Sequence, residues 1–329
     1  MNVLITGGTG FIGSRLALDF LEKRNCVTII GQENNAIESQ NRRLIETKGA
    51  QVVICSVTDR EKIFQIVRDA DVVYHLAAAQ HEAHLPDKTF WDVNVNGTQN
   101  VLDASVAAGI KLFIHGSTIG VYGTGLEGRL DELSPVKPDN IYGVTKLQAE
   151  NLVRSFQERL PVVVVRISET YGPGDRRLLK LFTGIKKNVF PIIGTGQNIH
   201  HLVYIDDLIQ GLHLAATMEG AVGKVFILAG KEALTTFAMV ETVATELGTT
   251  APRLRLPLLP FLMFAAMTEK LCRPLGIQPP LHRRRMDFFR KSFRFSQEHS
   301  QRILGFVPQV SFKEGVAETA KWYKAMGYI

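Results

Sequence analysis

The chain has 329 residues, 45% apolar and 21% charged, with a formal net charge of +6, enough to bury the core of one large domain or of two intertwined lobes. Its main basic cluster, Arg283, Arg284 and Arg285, lacks the interleaved aromatics and the length of a nucleic-acid surface, which excludes a nucleic-acid partner and leaves a small anion as an adequate one. The three cysteines, Cys26, Cys55 and Cys272, have no metal-ligand spacing; Cys26 and Cys55 border apolar runs and read as buried thiols of a reducing compartment.

The first predicted strand, 3–6, has no basic or apolar leader before it, which fits a cytoplasmic protein. Gly7, Gly10 and Gly13 follow it and open a predicted helix over 12–24. In such a turn the first glycine permits the tight bend and the second lets a phosphate approach the backbone. The third allows close packing, and the helix N-terminus favours the anion. A second strand, 27–30, ends at Gly31, Gln32 and Glu33; an acid is the usual ribose ligand about twenty positions after the loop, and Gly31 stands in its place. No arginine follows at once to grip a 2′-phosphate, although Arg42 and Arg43 lie on the next helix, 36–48, so NAD and NADP both stay open.

A strand at 52–55, a helix at 60–67 and a strand at 72–76 continue the alternation. His75, His81 and His84 could suggest a metal, but no cysteine or acidic cluster completes a site; His81 could instead line a substrate cleft. One long helix is predicted over 90–108, where Phe90 and Trp91 read as core or subunit contact. A strand at 111–116 leads to Ser117 and Thr118, and a helix at 142–158 carries Tyr142 and Lys146 on one face. An ammonium beside a phenol lowers its pKa, so the tyrosine can take or give a proton during hydride transfer.

After the strand at 162–167 the rhythm breaks into turn chemistry at 171–175 and 190–198. Later elements are a helix at 205–218, whose start Asp206 and Asp207 are expected to cap, a strand at 225–228 and a helix at 236–247. The apolar run 256–267 is broken by Pro257 and Pro260 and is too short to span a bilayer; a buried lobe helix is favoured over one lying on a membrane surface. These elements give an α/β fold, a doubly wound parallel sheet of Rossmann type. The expected division is a dinucleotide-binding domain at 1–167 and a smaller, interleaved substrate lobe at 168–329, with some segments returning to the sheet.

Together these motifs resemble the extended short-chain dehydrogenase/reductases, in the NAD-dependent epimerase/dehydratase group that works on nucleotide sugars. The matching segments are the glycine loop, His75 to Ala78, Asn94 to Thr98, Ser117 and Thr118 with Val121 to Gly123, Tyr142 to Lys146, Arg166 with Tyr171 to Gly174, and Val203 to Asp207. The resemblance implies a cofactor, NAD or NADP, held by Gly7, Gly10, Phe11, Ile12, Gly13, Gln32, Ser56, Val57, Leu76, Ala77, Ala78, Asn94, Tyr142 and Lys146. It implies Tyr142 as acid/base, Lys146 on the nicotinamide ribose and Thr118 on the substrate oxygen; Asn94 would brace the strand end. Substrate contacts are expected from His81, Ser117, Glu169, Arg176, His201 and Arg283. A homodimer through the helices at 90–108 and 142–158 is also implied.

One departure narrows the reaction, and two more leave the substrate open. The 4,6-dehydratases and uronate decarboxylases of the group carry acids after the threonine, whereas Ile119 and Gly120 stand here, which disfavours elimination and decarboxylation. Glu169 replaces an asparagine that contacts substrate, and Ser56 replaces an acid near adenine. The expected activity is a 4-epimerase or C4 ketoreductase on a nucleotide-activated sugar. The alternatives are a 3β-hydroxysteroid dehydrogenase-like enzyme and a dinucleotide-binding sensor without turnover.

Overall fold

The computed structural model describes residues 1–80, 85–126, 128–252 and 254–329. In the first half, strands β1 (Asn2–Thr6), β2 (Cys26–Gly31), β3 (Gln51–Ile54), β4 (Val72–His75), β5 (Leu112–Thr118) and β6 (Val162–Ile167) alternate with helices. These are α1 (Phe11–Glu22), α2 (Ala36–Thr47), α3 (Arg60–Val67), α4 (Asp87–Trp91), α5 (Gly97–Ala108) and α6 (Ile141–Ser155). The second half adds β7 (Thr170–Tyr171), α7 (Leu179–Lys186), β8 (Ile192–Ile193), β9 (Ile199–His200), β10 (Val203–Tyr204), α8 (Ile205–Thr217) and β11 (Val225–Leu228). It ends with β12 (Leu234–Thr235), α9 (Thr236–Glu246), β13 (Arg255–Leu256), α10 (Leu258–Cys272), α11 (Arg283–Arg290), α12 (Glu298–Leu304) and α13 (Phe312–Ala325).

Seven strands form one parallel sheet in the order β11-β6-β5-β4-β1-β2-β3. Side chains alternate across a strand, so neighbouring residues feed two different cores. Leu4, Val73, Phe113 and Val164 face α3, α5 and α6; Ile5, Tyr74, Ile114 and Val165 face α1 and α8. The helices begin where the sequence supplies a cap: Asn35 accepts from the amides of Ile37 and Glu38, Asp59 from Lys62 and Asn140 from Gly143. Ser311 and Glu314 close a reciprocal capping box on α13.

Most predicted elements lie within two residues of the observed ones, and the differences are informative. The helix expected over 90–108 is three pieces: α4, a π-helical turn at Asp92–Asn96, and α5. The turn places Asn94 in the interior. Cys26 is exposed rather than buried, because it opens β2 at the sheet's rim. Asp206 and Asp207 do not cap α8: Asp206 pairs with Arg15, and Asp207 accepts from the amides of Gln309 and Val310, tying down the approach to α13. The apolar run forms α10, but among the described residues only one side is covered, by Ile193, Leu281, Met286 and Phe289. Its other side, with Leu259, Met263, Met267 and Leu271, faces outward.

Candidate active site

The glycine loop is shaped by contacts that no side chain could share. Gly7 has a φ of +71°, and a Cβ there would stand 2.8 Å from the Ala77 backbone. The turn after β1 therefore touches the segment after β4 backbone to backbone. A Cβ on Gly13 would lie 2.3 Å from the Gly7 carbonyl oxygen, so α1 closes tightly on the loop. On Gly10 it would meet only that same oxygen, at 3.2 Å, which leaves the outer side of the loop and the first amides of α1 open to an anion. Phe11 packs against Gly174 and Ile12 against the core, so these two present backbone rather than side chain to the loop.

At the adenosine side, Gly31 is demanded by Thr9, whose methyl and hydroxyl would lie 2.5 and 2.6 Å from a Cβ there. The next side chain, Gln32, is exposed, and its backbone amide donates to Thr9. Arg42 is held by Glu33 at 2.7 Å and by Glu46 at 2.9 Å. Ser56 shares a hydrogen bond with Thr58 at 2.8 Å. Val57 is buried against Gly97, so its side chain serves the core and not a cleft. Leu76 covers Gly116, and Ala77 and Ala78 follow it half-buried.

A buried polar chain runs beneath these loops. The register sets Thr6 beside His75 and His75 beside His115. Thr6 Oγ1 donates to His75 Nδ1 at 2.8 Å while accepting from the Ala77 amide at 3.2 Å. His75 Nε2 donates to Thr98 Oγ1 at 2.8 Å, and Thr98 donates onward to the Asn94 carbonyl. Burial, helped by the Lys146 charge, pushes the His75 pKa down to about 3 and that of His115 well below its usual value, so both rings are neutral. Asn94 accepts from the Ala79 amide at 2.8 Å and donates to its carbonyl at 3.1 Å and to Thr145 at 2.9 Å. Its side chain is thus spent on bracing the end of β4 against α6, rather than offered to a cofactor.

The face of α6 at four-residue spacing carries Tyr142, Lys146 and Glu150. Lys146 is buried and donates to the Gly116 carbonyl at 2.6 Å; burial pulls its pKa down to about 8, with the Glu150 charge opposing that fall. Thr118 ends β5 and accepts from the Gly120 amide at 3.1 Å, which leaves its proton for an acceptor in the cleft. A Cβ on Gly120 would point at Thr118, 3.4 Å away, and at the Tyr142 ring, 3.8 Å away. An acid there would thus stand beside Thr118 and Tyr142. Ser117 points the other way, as strand alternation requires, and donates to Glu150 at 2.8 Å. That carboxylate is locked by Arg166 at 2.7 and 3.2 Å, and Arg166 also donates to Tyr122 and to the Glu132 carbonyl.

Sequence reasoning missed this buried cluster around Glu150, although the 142, 146, 150 spacing was its signal.

The expected substrate residues divide differently. His201 is buried, with Nε2 on the Gly230 carbonyl at 2.9 Å and Nδ1 accepting from the Phe295 amide at 3.1 Å, so neither ring nitrogen is left for a ligand. Arg176 stacks over Tyr328 at 4.7 Å, against the chain's end. Arg283 is exposed at the start of α11, 3.7 Å from Glu269. His81 lies outside the described residues. Glu169 receives a hydrogen bond from His200 at 3.3 Å; burial would raise its pKa, but His200, with Arg177 and Lys291 farther off, holds it below the usual value.

Beside His200 an open groove of about 590 Å³ is lined by Asn198, Arg255, Leu256, Pro257, Phe289 and Arg290. Arg290 reaches Asp139 at 3.2 Å, next to the Asn140 cap and three residues before Tyr142, which links the groove wall to the start of α6. No local sequence signal marks Arg255 or Arg290, which lie far from β5 and α6 in the chain.

A glycine loop at the head of a parallel sheet, with Thr118 ending its fifth strand and Tyr142 and Lys146 of α6 beside that end, defines a dinucleotide-binding α/β scaffold. The sequence model of the NAD dependent epimerase/dehydratase family matches residues 3–229, and the chain belongs to that family. It is 31% identical to the low-salt glycan biosynthesis protein Agl12 of Haloferax volcanii, over 75% of this chain and 83% of that protein. It is 27% identical to a dTDP-glucose 4,6-dehydratase of Streptomyces niveus, over 98% and 93% of the two chains. In structure it is similar to UDP-glucuronic acid 4-epimerase from Bacillus cereus, solved with NAD, at a TM-score of 0.82 and 24% identity over 99% of each chain, a likeness of fold. Among the described residues no helix is long and apolar enough to cross a membrane.

Proposed function

We propose that this protein is an NAD-dependent enzyme that oxidises and re-reduces one carbinol of a nucleotide-activated sugar, as a 4-epimerase or C4 ketoreductase. The observation that carries this reading is Gly120: the position facing Thr118 and the Tyr142 ring offers no carboxylate to drive elimination. When bound, NAD supplies a hydride acceptor and donor. Thr118 holds the substrate oxygen with its hydroxyl proton, and Tyr142 takes the carbinol proton and later returns it. Lys146, charged below pH of about 8, favours the phenolate from one turn away on α6.

NAD is favoured over NADP because Arg42, the nearest arginine after β2, is already gripped by two carboxylates. The guanidinium groups of Arg255 and Arg290 in the groove suit a diphosphate. Pairing of two copies through α5 and α6 belongs to the same reading.

The test is turnover of UDP- and dTDP-sugars followed by NMR of the product, with Tyr142→Phe alongside. A C4 epimer or C4 alcohol, lost in Tyr142→Phe while NAD is retained, is the expected result. A 4-keto-6-deoxy sugar would show elimination and overturn the reading, as would full activity in Tyr142→Phe. Mass spectrometry of the released dinucleotide checks NAD; NADP would refute that part.

A further inference from the structure

We propose that the outer face of α10 and the basic residues around it dock this protein on an anionic lipid bilayer. From Leu258 to Met267 the helix is apolar on every side. Leu258, Phe261, Leu262 and Ala265 pack inward against Met286 and its neighbours. Leu259, Met263, Met267 and Leu271 form an i, i+4 stripe on the opposite side, and they are 67%, 67%, 52% and 61% exposed. Leu275, 71% exposed, extends the stripe past the helix end. A helix apolar all round is normally buried on all sides, and a contiguous exposed apolar strip marks an interaction surface.

Charge identifies the partner. Residues 250–291 contain nine lysines and arginines against two acids, a net +7 within a chain of net +6, so the remaining 287 residues together carry −1. The basic excess therefore lies in the segment that bears the exposed apolar helix, within which Arg255 and Arg290 line the groove and Lys291 is buried against Asp139 and Asp287. Lys270 and Arg285 are exposed, and α10's only acid, Glu269, accepts from the Arg283 amide and lies 3.7 Å from its guanidinium. An apolar strip rimmed by cations fits a negatively charged headgroup layer above acyl chains. At fifteen residues the helix is about 22 Å long, suited to lying in the interface and too short to cross it.

The test is co-sedimentation of the full-length protein with phosphatidylcholine vesicles, with and without phosphatidylglycerol. Retention is expected on the anionic vesicles, falling with salt, and little on the neutral ones. Lys270→Gln with Arg285→Gln should weaken binding about 30-fold, taking about 1 kcal/mol per cation. Met263→Gln with Met267→Gln should abolish it; both pairs should melt as the parent does and keep its turnover. A Phe264→Trp variant should shift its emission to the blue only with anionic vesicles. Absence of retention on anionic vesicles overturns the proposal, as does equal retention on neutral ones or indifference to the substitutions. A dimer in sedimentation equilibrium that Met263→Gln dissolves would assign the face to a second copy and overturn it too.

Discussion

Replacing Glu150 by alanine should cost this protein about 4 kcal/mol of stability. The carboxylate is 1% exposed and its partner Arg166 5%, with bonds of 2.7 and 3.2 Å between them and a third, from Ser117, at 2.8 Å. Removing it strands a buried guanidinium that keeps only Tyr122 and the Glu132 carbonyl, and breaking such a pair typically costs about 3–5 kcal/mol. At about 2.1 cal/mol/K per residue, 329 residues give an unfolding entropy near 0.7 kcal/mol/K, so Tm should fall by about 6 °C. Urea unfolding and calorimetry of Glu150→Ala, of Arg166→Met and of the double variant provide the assay. The double variant should lose no more than either single one, because the stranded charge leaves with its partner. A loss under about 1 kcal/mol in Glu150→Ala, or additive losses in the double variant, would refute the pair as a mutually dependent buried unit.

Two further outcomes follow from the same site. Burial lowers the Lys146 pKa from 10.5 to about 8, so between those values the unfolded chain holds a proton that the folded one has released. Stability should therefore rise with pH across that window, by up to about 3 kcal/mol, and Lys146→Met should lack this rise in urea titrations from pH 7.5 to 10.5. A parent and variant with parallel pH profiles would contradict it. Gly7→Ala combines a left-handed backbone with a 2.8 Å approach to the Ala77 backbone and should lose about 3 kcal/mol, seen as a lower Tm. Gly10→Ala, whose Cβ meets only one oxygen at 3.2 Å, should melt normally but bind NAD more weakly by calorimetric titration. Equal melting of the two variants would undo the distinction between a packing glycine and a ligand-facing one.

The elements and the glycine loop were legible in the sequence because local patterns carry them. Apolar β-branched runs, helical spacing and capping side chains act over a few residues, and Val162–Ile167 and Arg60–Val67 lie where that pattern put them. The Tyr142 and Lys146 spacing on α6 is local in the same sense. Which neighbour faces a cleft is not. Ser117 and Thr118 look interchangeable in a string, but strand alternation sends one to Glu150 and the other to the Gly120 turn. Asn94 became a brace only when a π-helical turn and the end of β4 met it, and His201 became a core connector only when Gly230 and Phe295 closed over it.

The sequence by itself thus determined a parallel dinucleotide-binding sheet with a hydroxyl, a phenol and an ammonium following its fifth strand. Tertiary structure alone decided that Arg255 and Arg290 share a groove, that Glu150 is locked by Arg166, and that one side of α10 stays uncovered. The physical reason is range. Helical and strand periodicity fix which side of an element is apolar. What covers that side depends on segments distant in the chain, whose approach no local pattern records.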